Sequence, residues 1–296
     1  MKTIQRREFL KLTMLTPLFF SVGGLNLSAK EKANQDTKIF NKLISISKKK
    51  KWKKLPIGEL MGAIGFELMG TPYAANTLEG EGKEICRVSF TGLDCVTFFE
   101  NTLCMARVIK KGRTNFSDLI QEITYTRYRN AQLNGYPSRL HYTADWIYDN
   151  NQKRTVQDIT ESIGGIKHNF ELSFMSQNPR YYKALTDNPA NIAVIADMEK
   201  SINKRTYFIL PKDKIAEAEK QIMTGDIIAI ATNKKGLDYS HTGMAYVYDE
   251  ETRFLHASSK HKKVLLDRTI HEYVDGISAD IGITVLRPYF EDVFNG

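Results

Sequence analysis

Two rhythms of apolar residues divide the chain. In the first half, Ile57, Leu60, Met61, Ile64, Leu68 and Met69 recur at spacings of three and four. That period predicts a helix with one buried stripe. It stops at "MGTPY", where Gly70 suits a left-handed cap and Pro72 cannot continue the turn. A second helix is expected after Asp94, a favourable N-cap, with Val96, Phe99, Leu103 and Val108 along one face. Residues 115–170 carry further helical segments. The stretch "GYPSRLHYTADWIYDN" among them is irregular and aromatic, and is expected to be a long functional loop within an insertion around 125–170. "TYFILP" predicts a strand and "KDKIAEAEKQIM" a helix. The rhythm then changes. "GDIIAIAT", "HTGMAYVYD", "RFLHASS", "KVLLDR" and "IGITVLRP" are short runs rich in branched and aromatic residues, separated by turn signals. A helical half followed by an antiparallel sheet is an α+β arrangement.

The 296 residues suffice for one sizeable core, and residues 56–296 are expected to form it. Formal net charge is +8. Part of it sits in residues 1–29, where Lys2, Arg6, Arg7 and Lys11 face only Glu8. The one dense basic run, "KKKKWKK", lies within residues 30–55, which are expected to be a basic linker with at most a short helix. The modest remainder of the charge does not predict a nucleic-acid partner. From Leu12 to Ala29 no charge occurs, but Pro17, Gly23, Gly24 and several hydroxyl residues make the stretch too polar for a stable membrane span. With its paired arginines, the segment resembles a twin-arginine export signal, which implies cleavage after Ala29 and a periplasmic location. Three cysteines suit such a compartment only without a disulfide framework. Cys86 and Cys104 remain a candidate pair, with Cys95 free.

Cys95 opens the second predicted helix. There, unpaired backbone N–H groups and the positive end of the helix dipole favour a thiolate, the nucleophilic form of cysteine. A base is needed. "SHTGMAYV" puts His241 at a strand start, with the small residues Gly243 and Ala245 on its face. "FLHASS" puts His256 on the next strand. A turn over Asp249–Thr252 would set it opposite Ala245, on the face of His241 but about 13 Å away at ~3.3 Å per residue. Two neutral imidazoles can divide the work, one taking the thiol proton and the other holding its partner's orientation.

"GTPY", "LDCVTFFE", "GDIIAI", "SHTGMAYV" and "FLHASS", in that order, resemble the NlpC/P60 superfamily of papain-like cell-wall peptidases. The resemblance implies a papain-like fold, Cys95 as nucleophile, His241 as base, His256 as the orienting third residue, and Tyr73 beside the oxyanion. Where that family continues D-C with serine and glycine, this chain has Val96 and Thr97, and Thr97 is expected to supply a polar group. "LDCVTF" with "YPSRLHYTADWI" resembles a narrower branch, the N-acetylmuramoyl-L-alanine amidase-like family. That branch implies hydrolysis of the amide between N-acetylmuramic acid and L-alanine in peptidoglycan fragments, without a cofactor or metal. It would give Arg139 and His141 a carboxylate or sugar hydroxyl to bind and Trp146 a sugar ring to stack on, with Asp94 and Asp238 bordering the cleft. Alternatives are a γ-D-glutamyl-diamino acid endopeptidase and a non-catalytic wall-binding module. A zinc amidase would require histidines and carboxylates at ligand spacing, which the six scattered histidines do not supply.

Overall fold

The computed structural model describes residues 29–291. The expected export segment lies outside the described residues except for Ala29. No helix among the described residues is long and apolar enough to cross a membrane.

The 3.6-residue rhythm yields helices where it was read. Helix α1 spans Ala29–Lys49, α2 Ile57–Glu67, α3 Cys95–Lys110 and α4 Phe116–Arg127. Gly70 adopts φ +83°, the left-handed conformation its place after α2 called for. Helix α1 replaces the expected linker. Lys32, Lys38, Lys42, Lys48 and Lys49 face solvent, while Phe40 and Leu43 are buried against the domain, so the basic composition concealed an amphipathic helix. Buried Asp36 accepts hydrogen bonds from the backbone N–H groups of Phe90 (2.6 Å) and Thr91 (3.0 Å). The N-terminal helix thereby fixes the segment that leads into α3.

The sheet follows the change of rhythm. Strands β1 (Val156–Asp158), β2 (Ile166–His168) and β3 (Tyr207–Pro211) precede β4 (Ile227–Thr232), β5 (Tyr239–Tyr248), β6 (Glu251–Ser258), β7 (Lys263–Thr269) and β8 (Asp280–Pro288). All pairings are antiparallel, in the order β2-β3-β8-β4-β5-β6-β7, with β1 also on β8. The α+β class holds. The region 125–170 is no appended loop. Its α5 (Thr143–Gln152) contains the "TADW" text, and β1 and β2 join the sheet. Helix α6 (Ala190–Ile202) packs on the turn at Tyr136–Ser138, and the short α7 (Ile270–Asp275) follows β7. The expected helix at 212–223 is broken into short turns around Ile215–Ala218.

Two apolar cores lie on the two faces of the sheet. The larger packs α1–α5 against Met244, Tyr246, Leu255 and Ala257; the smaller gathers Ile228, Ile230, Ala245, Phe254 and Val274. Alternation along β5 and β6 assigns successive residues to the two cores.

Candidate active site

Helix α3 runs through the larger core and is buried from Thr97 to Lys110. Burial obliges its polar residues to find partners. Glu100 Oε2 accepts from Arg127 Nε (2.7 Å), and its Oε1 accepts from the Trp146 indole N–H (3.1 Å). Asn101 donates to the Ser89 carbonyl (2.7 Å). These bonds hold the helix in register. Its start is equally defined. Asp94 accepts from the Thr97 N–H (2.8 Å) and the Thr97 hydroxyl accepts from the Asp94 N–H (2.9 Å), a complete capping box. Thr97 therefore has its polar role within the cap. Thr77 adds a hydroxyl bond to the other Asp94 oxygen (3.2 Å).

Cys95, the first residue of this helix, lies against Thr242 of β5, and a thiolate there would raise the phenols of Tyr73 and Tyr273. Tyr273 of α7 also stacks on His241, with centroids 5.8 Å apart and planes 21° from parallel. His241 Nε2 lies 2.7 Å from His256 Nδ1, and His256 Nε2 lies 3.3 Å from Asp267 Oδ2 on β7. The imidazole pair forms because the β5–β6 turn is tighter than expected. Asp249 and Glu250 alone make it, at φ 50° and 67°, as in a type I′ hairpin. Tyr248 then pairs with Glu251 and Met244 with Leu255, which sets His256 opposite Gly243 rather than Ala245. The histidines become diagonal neighbours, ~7–8 Å apart across the two strands and offset by two residues along them instead of four. Gly243 makes the contact possible, since a Cβ there would stand 2.5 Å from the Phe254 ring and 2.8 Å from the His256 Cβ.

The sequence missed Asp267 and Tyr273. Asp267 lies two residues beyond Leu265, which pairs with His256, within a shift of the β6–β7 register, and its carboxylate meets the His256 ring. Which residue lies across the strand leaves no mark within "KVLLDR" itself. Tyr273 sits on a helix too short to show a rhythm.

The proposed substrate-binding residues fare differently. Tyr73 forms a backbone bridge with Leu93, two residues before Cys95. Arg139 is buried at 3% exposure, donates to the Leu78 carbonyl (2.8 Å), and pairs with Glu79 and Glu84. Its charge is spent on ordering the segment 78–84. Trp146 is also 3% exposed, with its ring edge-on to Phe99 at 5.0 Å, and has no face for a sugar. His141 donates from Nε2 to the Tyr136 carbonyl (2.9 Å), and burial holds its ring well below the usual imidazole range. Buried Asp238 accepts from the N–H groups of Ala144 (2.7 Å) and Tyr239 (2.8 Å), anchoring the start of α5; burial raises it to about 6. All four serve the architecture around α3 and α5. The open space lies beyond them, in a cleft of about 770 Å³ between residues 80–84, 133–137 and 184–194, to which Tyr136, Asn134 and Asn188 contribute. Cys95 is not among its lining residues. Cys86, Cys95 and Cys104 are all free thiols. Among the described residues, no three histidine, cysteine or carboxylate side chains gather as a metal-ligand set.

A family model for N-acetylmuramoyl-L-alanine amidase-like proteins matches residues 63–283. The chain belongs to this amidase-like family. Among solved structures, a N-acetylmuramoyl-L-alanine amidase from Bacteroides uniformis is 34% identical, covering 79% of this chain and 99% of its own at a TM-score of 0.76. A Bacteroides fragilis structure named a candidate xylanase is 36% identical, over 75% of this chain and 98% of its own, with a TM-score of 0.71. A Legionella pneumophila protein at 20% identity shares the fold, with a TM-score of 0.67 over 89% of this chain and 97% of its own. No curated protein matched.

Electrostatically, the thiol and the two imidazoles of this amidase-like protein's candidate site are uncharged at rest. Burial, then the Asp94 carboxylate, push the Cys95 thiol up to about 11, against the opposing bonds from Thr242. The expected thiolate at the helix start is therefore not the resting form. Burial and the neighbouring ring lower His241 to about 3, and burial lowers His256 to about 4 although Asp267 pulls the other way. At neutral pH both rings are uncharged.

Proposed function

We propose that the chain is a cysteine-dependent N-acetylmuramoyl-L-alanine amidase with a papain-like catalytic domain of the NlpC/P60 type, acting on muropeptides in the periplasm after export. The observation that carries the mechanism is the 2.7 Å contact between His241 and His256, on strands β5 and β6 that pack against the helix Cys95 opens. The substrate assignment draws on family membership and on the name of the Bacteroides uniformis relative. A xylanase would need two carboxylates flanking the scissile bond; here two imidazoles accompany the thiol instead.

With thiol and imidazole both neutral, proton transfer accompanies attack. The Cys95 sulfur adds to the lactyl carbonyl carbon as its proton passes to His241. The oxyanion is stabilised by the Cys95 backbone N–H and, on its other side, the Tyr73 hydroxyl. Collapse breaks the C–N bond, and His241 returns the proton to the leaving L-alanine nitrogen. Water then attacks the thioester, giving its proton to His241, and the free lactyl acid and the thiol are regenerated.

Mass spectrometry of a muropeptide incubated with the protein tests this. Free sugar acid and free peptide are expected with wild type and with C86A and C104A, and no turnover with folded C95A. Release of L-Ala-D-Glu from a sugar-free stem peptide would replace the amidase with the endopeptidase. Wild-type rates in C95A would sink the mechanism.

A further inference from the structure

The Asp267 carboxylate extends the pair of imidazoles into a chain of three groups, and only one arrangement of protons satisfies it. We infer that Asp267 is a positioning residue that fixes the tautomers of both histidines and so selects Nδ1 of His241 as the base. This rests on the cysteine–histidine reading above.

An ionised carboxylate only accepts hydrogen bonds. The 3.3 Å contact with Asp267 Oδ2 therefore places a proton on His256 Nε2. A neutral imidazole carries one N–H, so His256 Nδ1 is left as an acceptor. At 2.7 Å from it, His241 Nε2 must then be the donor. The lone pair of His241 consequently sits on Nδ1, the only ring nitrogen still available to take the thiol proton. Without the carboxylate, the reverse arrangement would be equally well bonded between the two rings, and it would leave an N–H on His241 where a base is required.

The surroundings make the choice durable. His256 is fully buried, stacked on Phe254 at 4.6 Å and edge-on to Tyr273 at 5.0 Å, so its ring cannot turn over without moving both. Asp267 is itself oriented, because its Oδ1 accepts from the Arg268 backbone N–H at 2.8 Å. That bond sharpens the test. In D267N the amide oxygen stays with the Arg268 N–H, and the NH₂ group takes the place of Oδ2. It then donates to His256 Nε2 and reverses every proton in the chain. In D267A the directing group is merely lost, with neither tautomer favoured by position 267.

The experiment uses the full chain labelled with ¹⁵N in histidine, read by long-range ¹H–¹⁵N correlation at neutral pH, with H241N and H256N assigning the signals. In wild type both rings should carry the proton on Nε2; in D267N both should carry it on Nδ1. Turnover of a muropeptide should fall about 100-fold or more in kcat for D267N, with KM within about twofold. The loss for D267A should be smaller than for D267N. Wild-type spectra with the proton on His256 Nδ1, unchanged tautomers in D267N, or a loss in D267A as large as that in D267N would each overturn the inference. The last would assign Asp267 to packing, because asparagine preserves shape better than alanine. If wild type turns over no muropeptide, the amidase reading fails, and the spectra alone still decide the role of Asp267.

Discussion

The helix that Cys95 opens is held by a buried ion pair, and breaking it should be costly in a way a surface pair is not. The side chains of Glu100 and Arg127 are 1% and 3% exposed. In R127M the Glu100 carboxylate keeps the Trp146 N–H as a donor but loses its counter-charge in a site water barely reaches. Removing one partner of such a pair costs about 3–5 kcal/mol, because the remaining charge is left desolvated. At an m-value of about 3 kcal/mol per molar urea, the unfolding midpoint should fall by about 1 to 1.7 M. The comparison is R253M. Arg253 pairs with Glu251 at 37% and 52% exposure, where an ion pair contributes at most about 1 kcal/mol and the midpoint should move by about 0.3 M or less. If the cost of R127M comes from the stranded charge, E100Q/R127M should regain part of it, since glutamine keeps an oxygen for Trp146 and carries no charge. Urea unfolding followed by tryptophan fluorescence reads all three variants. The reasoning fails if R127M loses no more stability than R253M, or if the double variant is no more stable than R127M.

Two further predictions concern the site itself. The Cys95 thiol is raised to about 11, so its reactive thiolate is a small fraction that grows tenfold with each pH unit below that value. Iodoacetamide labelling lost in C95A should therefore climb steadily from pH 7 to pH 10; a plateau already reached near neutrality would mean a resting thiolate–imidazolium pair instead. In G243A, the added Cβ meets the Phe254 ring at 2.5 Å and the His256 Cβ at 2.8 Å. Overpacking should lower stability by about 1–3 kcal/mol and separate the two imidazoles; wild-type kcat in this variant would show that their contact is dispensable.

Much of the secondary structure around the site was legible in the spacing and type of apolar residues. The period of α2 reflects one buried stripe, the cap at Asp94 the bonding of the first helical turn, and the branched, aromatic runs of β4 to β8 a sheet covered on both faces. Cys95, His241 and His256 could be picked out because each stands at the start of an element or on a strand with small neighbours. Asp267 and Tyr273 could not, since their roles depend on which residue lies across a strand or over a ring. Arg139 and Trp146 show the opposite failure. Arginine and tryptophan in an irregular aromatic stretch read as recognition chemistry, yet burial turned both inward, where Arg139 orders residues 78–84 and Trp146 donates to Glu100. The basic run near the N-terminus hid α1 for a related reason: composition averages over a helix whose two faces differ.

The turn at Asp249 and Glu250 lies at the far end of the hairpin from the histidines, six residues from His256. Surface turns usually accept added or deleted residues. This one should not, because chain length there is the ruler by which His256 is delivered. One extra residue absorbed into β6 would carry His256 to the opposite face of the sheet, away from His241. Two would keep the face but shift the ring a full strand repeat along. Lineages that descend from this arrangement are thus free to change the identity of the two turn residues far more readily than their number.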